Sequence, residues 1–161
     1  MSAMHPNQAL IDRFYRAFQV RDATAMAACY HPQVVFSDPV FPELRGPEAG
    51  AMWAMLCARA TDLELAFRDV QADDTHGSAR WDARYTFTQT GRPVHNAIAA
   101  EFRFQDGLIV RHVDRFDFWR WARQALGPAG WLLGWTPMVR DRVRATARRG
   151  LDAFVAKRGR N

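Results

Sequence analysis

Between Leu63 and Phe118, apolar residues return at every second position in four successive segments, and only short turn sequences separate them. Leu63, Leu65 and Phe67 make the first set and Trp81, Ala83, Tyr85 and Phe87 the second. Ile98, Ala100, Phe102 and Phe104 follow, then Leu108, Val110, Phe116 and Phe118. A period of two belongs to a strand with one buried face. DDTHG, TGRP and QDG lie between the segments and are turn material. Connections this short join antiparallel neighbours rather than the crossovers of a parallel sheet. The expectation is an antiparallel meander covered by helices on one face, an α+β architecture.

The fourth segment, LIVRHVDRFDFW, asks something else of that face, because His112 and Asp114 share the parity of its apolar residues. An unpaired charge in apolar surroundings shifts its pKa, finds a partner or meets a ligand. These two residues are therefore the first candidates for chemistry.

Helices precede the meander. Leu10, Phe14 and Phe18 recur at helical spacing, with Ile11 and Tyr15 beside them, and predict a helix over Asn7 to Val20. Asp22 reads as the N-cap of a second helix, Ala23 to Tyr30, closed by His31 and Pro32. In QVVFSDP the period turns to two, and Val34, Phe36 and Asp38 fall on one side. Pro39, Pro42 and Gly46 break the chain, and Pro47 opens a third helix through about Ala60 that carries Trp53. Beyond Asp117, WRWARQAL is helical to Gly127 and Pro128, AGWLLGWTP reads as an apolar loop, and Met138 to Val155 is an amphipathic helix.

The chain's 161 residues suit one domain. No run approaches the roughly 20 apolar residues of a membrane span, and MSAMHPNQ lacks the basic and apolar pattern of a secretory signal. Cys29 and Cys57 have no metal-like spacing and read as reduced core thiols, so a cytoplasmic protein is expected. The net charge of +5 is uneven: residues 140 to 161 hold +6, leaving about −1 for the rest. The body is not basic, and no nucleic-acid partner is expected.

The order helix, helix, strand ending in Asp-Pro, helix, then curved meander resembles the nuclear transport factor 2-like superfamily. RFYRAFQVRD, VVFSDPV and FRFQDGLIVRHVDRFD carry the resemblance, which spans roughly residues 7 to 120. That superfamily includes ketosteroid isomerases, limonene epoxide hydrolases and SnoaL-like polyketide cyclases. The resemblance implies a cone-shaped curved antiparallel sheet wrapped around N-terminal helices, here with a C-terminal helical extension. It divides the chain into a SnoaL-like domain over 1–120 and a basic extension over 121–161. Its broad sheet face implies a homodimer.

Asp38 matches the isomerase general base, but the two oxyanion donors of that family fall on Phe14 and Ala100, which argues against steroid isomerisation. Tyr15 lies about 100° around the helix from Phe14. Asp114 resembles the carboxylate that hydrolases and cyclases use as general acid or base. The hydrolases' Arg-x-Asp pair has only Asp82 and Arg84 as counterparts, in reversed order and turned to the opposite face unless a bulge reverses them.

The reading is a cofactor-independent acid/base enzyme, of isomerase, cyclase or hydrolase type, acting on an apolar oxygenated molecule. Asp38, His112 and Asp114 are its candidate catalytic groups, since a carboxylate raised by desolvation and a histidine both exchange protons near neutrality. Phe14, Tyr15, Trp53, Trp81, Tyr85, Phe87, Asn96 and Phe116 are the candidate ligand wall. The alternatives are a turn role for Asp38, a satisfied core position for His112, and an ion pair with Arg111 or another buried base for Asp114. The whole would then be a non-catalytic binding or interaction module. No metal spacing, phosphate-cradling loop or Ser or Cys nucleophile context is present. The extension is expected to close the cone's mouth or wrap a dimer partner. Contact with a membrane surface, through Trp131, Trp135 and the basic helix, is the less favoured alternative.

Overall fold

The computed structural model describes residues 3–160. Helix α1 (Pro6–Gln19) starts where His5 Nδ1 accepts the Asn7 N–H, and it buries Leu10, Ile11, Phe14, Tyr15 and Phe18 along one side. Asp22 caps α2 (Ala23–Ala28) by accepting the Ala25 N–H at 3.0 Å. The second helix is two residues shorter than its sequence pattern predicts, because Tyr30 already belongs to strand β1 (Tyr30–Ser37). Tyr30 shares the parity of buried Val34 and Phe36, so burial of that face outweighs the helical reading. A short β2 (Leu44–Arg45) leads to α3 (Pro47–Arg59) through Gly46, whose φ of 56° and close approach to the Pro32 carbonyl suit a residue without Cβ.

The antiparallel meander forms: β3 (Glu64–Ala72), β4 (His76–Phe87), β5 (Arg92–Gln105) and β6 (Leu108–Arg115), each antiparallel to the next, though β6 stops short of Phe116 and of Phe118, which begins the next helix. Asp106 and Gly107, both at positive φ, make the two-residue turn between β5 and β6. The sheet runs β2-β1-β6-β5-β4-β3, curved and unclosed. Its β1–β6 pair is parallel, so the sheet is mixed rather than wholly antiparallel. The long helical and meander segment between those strands is the kind of connection that permits it.

Two register details differ from simple alternation. Opposite Arg103 and Phe104, β6 carries one extra residue at Val110, so Ile109 rather than Leu108 or Val110 is the fully buried neighbour of His112. The β4–β5 ladder, by contrast, runs unbroken from His76–Arg103 to Phe87–Arg92. Trp81 and Ala83 therefore stay inside while Asp82 and Arg84 face out.

After β6, α4 (Phe118–Leu126), α5 (Pro128–Leu133) and α6 (Pro137–Arg158) form the extension. AGWLLGWTP is thus not a plain loop: α5 folds against α4 so closely that a Cβ on Gly130 would meet the Ala122 carbonyl at 1.9 Å. Thr136 caps α6, Leu151 is buried beneath it, and Arg148 pairs with Glu48 of α3.

Helices α1 to α3 and the inner sheet face share one apolar cluster. A second gathers Val94, Phe118, Trp121, Ala122 and Ala125 where α4 lies on the sheet. Val40, Tyr85 and Phe116 touch both, and mark a seam between the body and its extension.

Candidate functional site

β6 delivers His112 and Asp114 to the interior, where both are essentially fully buried. The imidazole lies among aromatic rings: Phe102 at 4.4 Å, Phe36 at 5.1 Å, Phe14 at 5.5 Å and Trp53 stacked at 6.1 Å. Such surroundings make an unpaired polar group costly, and every polar atom of the imidazole has a partner. Trp53 Nε1 donates to Tyr30 Oη at 2.8 Å, Tyr30 Oη meets His112 Nδ1 at 2.8 Å, and His112 Nε2 meets Asp114 Oδ1 at 2.9 Å. Trp81 Nε1 donates a longer bond, 3.4 Å, to the same carboxylate oxygen.

With His112 neutral, this sequence of bonds has a direction. Because Tyr30 Oη receives the indole hydrogen of Trp53, its own hydrogen is free for His112 Nδ1. The neutral histidine then carries its proton on Nε2, toward Asp114, and every donor has an acceptor. The partner of Asp114 is thus a buried base from its own strand rather than Arg111, which is exposed, or Arg115, which pairs with Glu101 on the outer face.

Tyr15 stands beside this network and outside it. Its ring is completely buried between Phe67 and Phe102, yet its hydroxyl has no hydrogen-bond partner among the described residues. Burial raises its pKa well above the ordinary tyrosine value, and the nearby Asp114 charge pushes it further up. An orphaned hydroxyl in a packed interior is rare enough to require an explanation.

Asp38 reaches the seam from the end of β1. Its Oδ1 accepts the N–H groups of Val40 at 2.7 Å and Phe41 at 2.6 Å, so the side chain closes its own turn. Burial raises its pKa from 3.8 to about 7; the Phe41 N–H opposes the rise, the Asp114 charge adds to it, and the Val40 N–H and Arg144 pull it back. Tyr85 lies close enough to feel the Asp38 charge, and its Oη accepts from Trp121 Nε1 of α4 at 2.9 Å. Arg144 of α6 donates to the Pro39 carbonyl at 2.8 Å. The extension therefore lies over the turn that holds Asp38.

Of the predicted ligand wall, Phe14, Tyr15, Trp53 and Trp81 are buried around the His112–Asp114 pair, while Tyr85, Phe87 and Phe116 are half-buried at the seam. Asn96 is half-buried on β5 opposite Ala83. Asp82 is engaged on the outer face by Arg68 at 2.5 Å and His95 at 3.3 Å. A surface hollow of about 1050 Å³ also lies on that face, between Arg103, Arg111 and Asp73. Another, about 440 Å³, lies between α2, α3 and β1. Neither is lined by Asp38, His112 or Asp114. Among the described residues, no group of three or more His, Cys, Asp or Glu could hold a metal ion.

Sequence reasoning passed over Tyr30, Trp121 and Arg144. Tyr30 had a legible signal in its parity with Val34 and Phe36, masked by the helix-breaking His31 and Pro32 that follow it.

A curved, unclosed six-stranded sheet packed on N-terminal helices places the chain among α+β folds, and sequence comparison narrows the class. A family model described as the SnoaL-like domain matches residues 11–112, so the chain belongs to the SnoaL-like family. No curated protein matches it in sequence. Among solved structures it is similar to a candidate polyketide cyclase from Xanthomonas campestris pv. campestris, with 24% identity, 74% of this chain and 96% of that one covered, and a TM-score of 0.60. IdmH, a candidate polyketide cyclase from Streptomyces antibioticus, shares 21% identity over 75% and 98% of the two chains, with a TM-score of 0.62. An LEH-like epoxide hydrolase from M. tuberculosis shares 17% identity over 79% and 92%, with a TM-score of 0.61. At these identities the likeness is one of fold.

Proposed function

We propose that the chain binds an apolar, oxygenated small molecule and performs cofactor-independent acid/base chemistry on it, with Asp38, His112 and Asp114 as the proton-carrying groups. The carrying observation is the buried chain of hydrogen bonds from Trp53 through Tyr30 and His112 to Asp114. A buried pair of this kind is weak as a source of stability, since well-packed apolar residues often do as well or better. Its presence in an otherwise apolar interior calls for another role. Proton exchange with a ligand supplies one, with Tyr15 hydroxyl as a waiting donor to a ligand oxygen. Asp38, with a pKa of about 7, can take or give a proton near neutrality.

Entry is at the seam. Displacing the Tyr85–Trp121 and Arg144–Pro39 contacts opens a way past Phe87 and Phe116 toward Asp38, with Trp53 and Trp81 behind. In this reading residues 1–120 are the ligand-binding unit and 121–161 its cover, in a cytoplasmic homodimer joined through the outer sheet face. The solved relatives described as polyketide cyclases and an epoxide hydrolase support a reaction of cyclase, isomerase or hydrolase type.

A second reading, a non-catalytic binding module, is favoured by Asp38 and Asp114 already having internal donors. Native mass spectrometry of the purified protein, followed by turnover assays on any retained molecule and on a panel of epoxides and polyphenolic ketones, separates the two. Catalysis predicts that Asp38→Asn and Asp114→Asn each lose about 10²-fold or more in kcat while still binding ligand. Turnover by neither wild type nor variant, with a ligand retained by all three, overturns the catalytic reading.

A further inference from the structure

Among the described residues, five of the eight exposed large apolar side chains lie between residues 131 and 138: Trp131 (58%), Leu132 (73%), Leu133 (43%), Trp135 (65%) and Met138 (66%). Scattered exposed apolar residues are ordinary, whereas a contiguous group marks a contact site. The tip that carries them is rigid. α4 and α5 cross at Gly130, Trp119 Nε1 donates to the Trp131 carbonyl at 3.3 Å, and the Arg123 guanidinium lies 4.3 Å from the Trp119 ring and 4.9 Å from Trp131. The patch is a built surface, held open to solvent.

Its charge selects the partner. From Phe118 to Arg140 the chain has Arg120, Arg123 and Arg140 and no acidic residue. A two-fold contact between copies would bring this cationic tip against itself, with like charges opposed. Tryptophan and leucine beside arginine are instead the composition of a segment that lies in the lipid headgroup region. No helix among the described residues is long and apolar enough to cross a membrane, so the contact is with the surface.

We propose that the α5 tip docks on an anionic lipid surface, with Trp131, Leu132, Trp135 and Met138 entering the headgroup layer and Arg120, Arg123 and Arg140 facing lipid phosphates. The docking is independent of the chemistry proposed for Asp38, His112 and Asp114.

Co-sedimentation of the full chain with vesicles of phosphatidylcholine, or of phosphatidylcholine with phosphatidylglycerol, tests it. Wild type is expected to bind the anionic vesicles at low salt and to leave them at high salt. The combined variant Trp131→Ser, Leu132→Ser, Trp135→Ser is expected to lose at least about tenfold in binding. Arg120→Gln and Arg140→Gln are each expected to lose about fivefold on the anionic vesicles alone. All these side chains are exposed, so circular dichroism and the thermal midpoint remain those of wild type. Failure to bind anionic vesicles at low salt overturns the proposal, as does unchanged binding by the combined variant. Conversion of a wild-type dimer to a monomer by that variant, with no vesicle binding by wild type, would reassign the tip to self-association.

Discussion

Two carboxyl groups, the buried Asp114 and the half-buried Asp38, sit in opposite kinds of environment. Asp114 is held by His112, two residues back on its own strand, and by Trp81 of β4, and is linked through His112 to Tyr30 and Trp53 from distant parts of the chain. Asp38 is held by the next turn of its own backbone, at Val40 and Phe41. Asp114 is thus a fixed point of the tertiary structure. Asp38 is a local feature whose proton affinity depends on what covers it, burial being the largest influence and Arg144 of the extension one of those that oppose it. Within one interior, one acid is locked and the other is adjustable.

Breaking the locked side has the largest effect. His112→Leu leaves Asp114 with only the long Trp81 bond and Tyr30 without its acceptor, and is expected to cost about 3 kcal/mol or more in urea unfolding. Tyr30→Phe keeps the ring but strands the Trp53 N–H and His112 Nδ1, a loss of about 2 kcal/mol by the same measurement. A Tyr30→Phe variant as stable as wild type would show that the chain is not locked.

The adjustable side is broken by pH. The folded protein holds the Asp38 proton up to about 7, whereas the unfolded chain releases it near 3.8. Between those values the folded state binds more protons, so stability falls as pH rises, and the penalty is complete above about 7. Asp38→Asn keeps an acceptor for Val40 and Phe41 and has no proton to lose. Because the residue is half-buried, the penalty is discounted to about 1–2 kcal/mol. The variant's thermal midpoint should gain about 3–6 °C on wild type between pH 4.5 and pH 8. A parallel pH dependence in both proteins would remove the distinction between the two acids.

The smallest effect calibrates the comparison. Asp82 makes its bonds on the outer face, and Asp82→Asn is expected to change stability by no more than about 0.5 kcal/mol. A larger loss would mean that the outer face, too, has a polar network that matters.

Much of the body was legible because period-two burial is written directly into the meander and the unbroken β4 ladder preserved it, down to the outward turn of Asp82 and Arg84. The inward turn of His112 and Asp114 was legible only in part, since the apolar residues that suggested it lie elsewhere: Leu108 and Val110 stand on the far side of the irregularity in β6, and Phe116 and Phe118 follow the strand's end. Val110 was not legible, since a bulge is a property of two strands and leaves no mark in one. Tyr30 was hidden by a local competition between helix and strand that only the pairing with β6 decides. Trp121 and Arg144 belong to the extension, whose docking on the body depends on shape, and periodicity within either segment says nothing about where the two meet.

The parallel alignment of β1 with β6 bears on how this molecule reaches its native state. Tyr30 and His112 meet across 82 positions of chain, so their bond waits for the whole meander to form and for its last strand to dock. A slip of β6 by one residue would turn His112 and Asp114 toward water and leave the Tyr30 hydroxyl bonded to Trp53 but without its His112 partner. The polar interior therefore adds to the cost of a one-residue slip and helps to specify the native register.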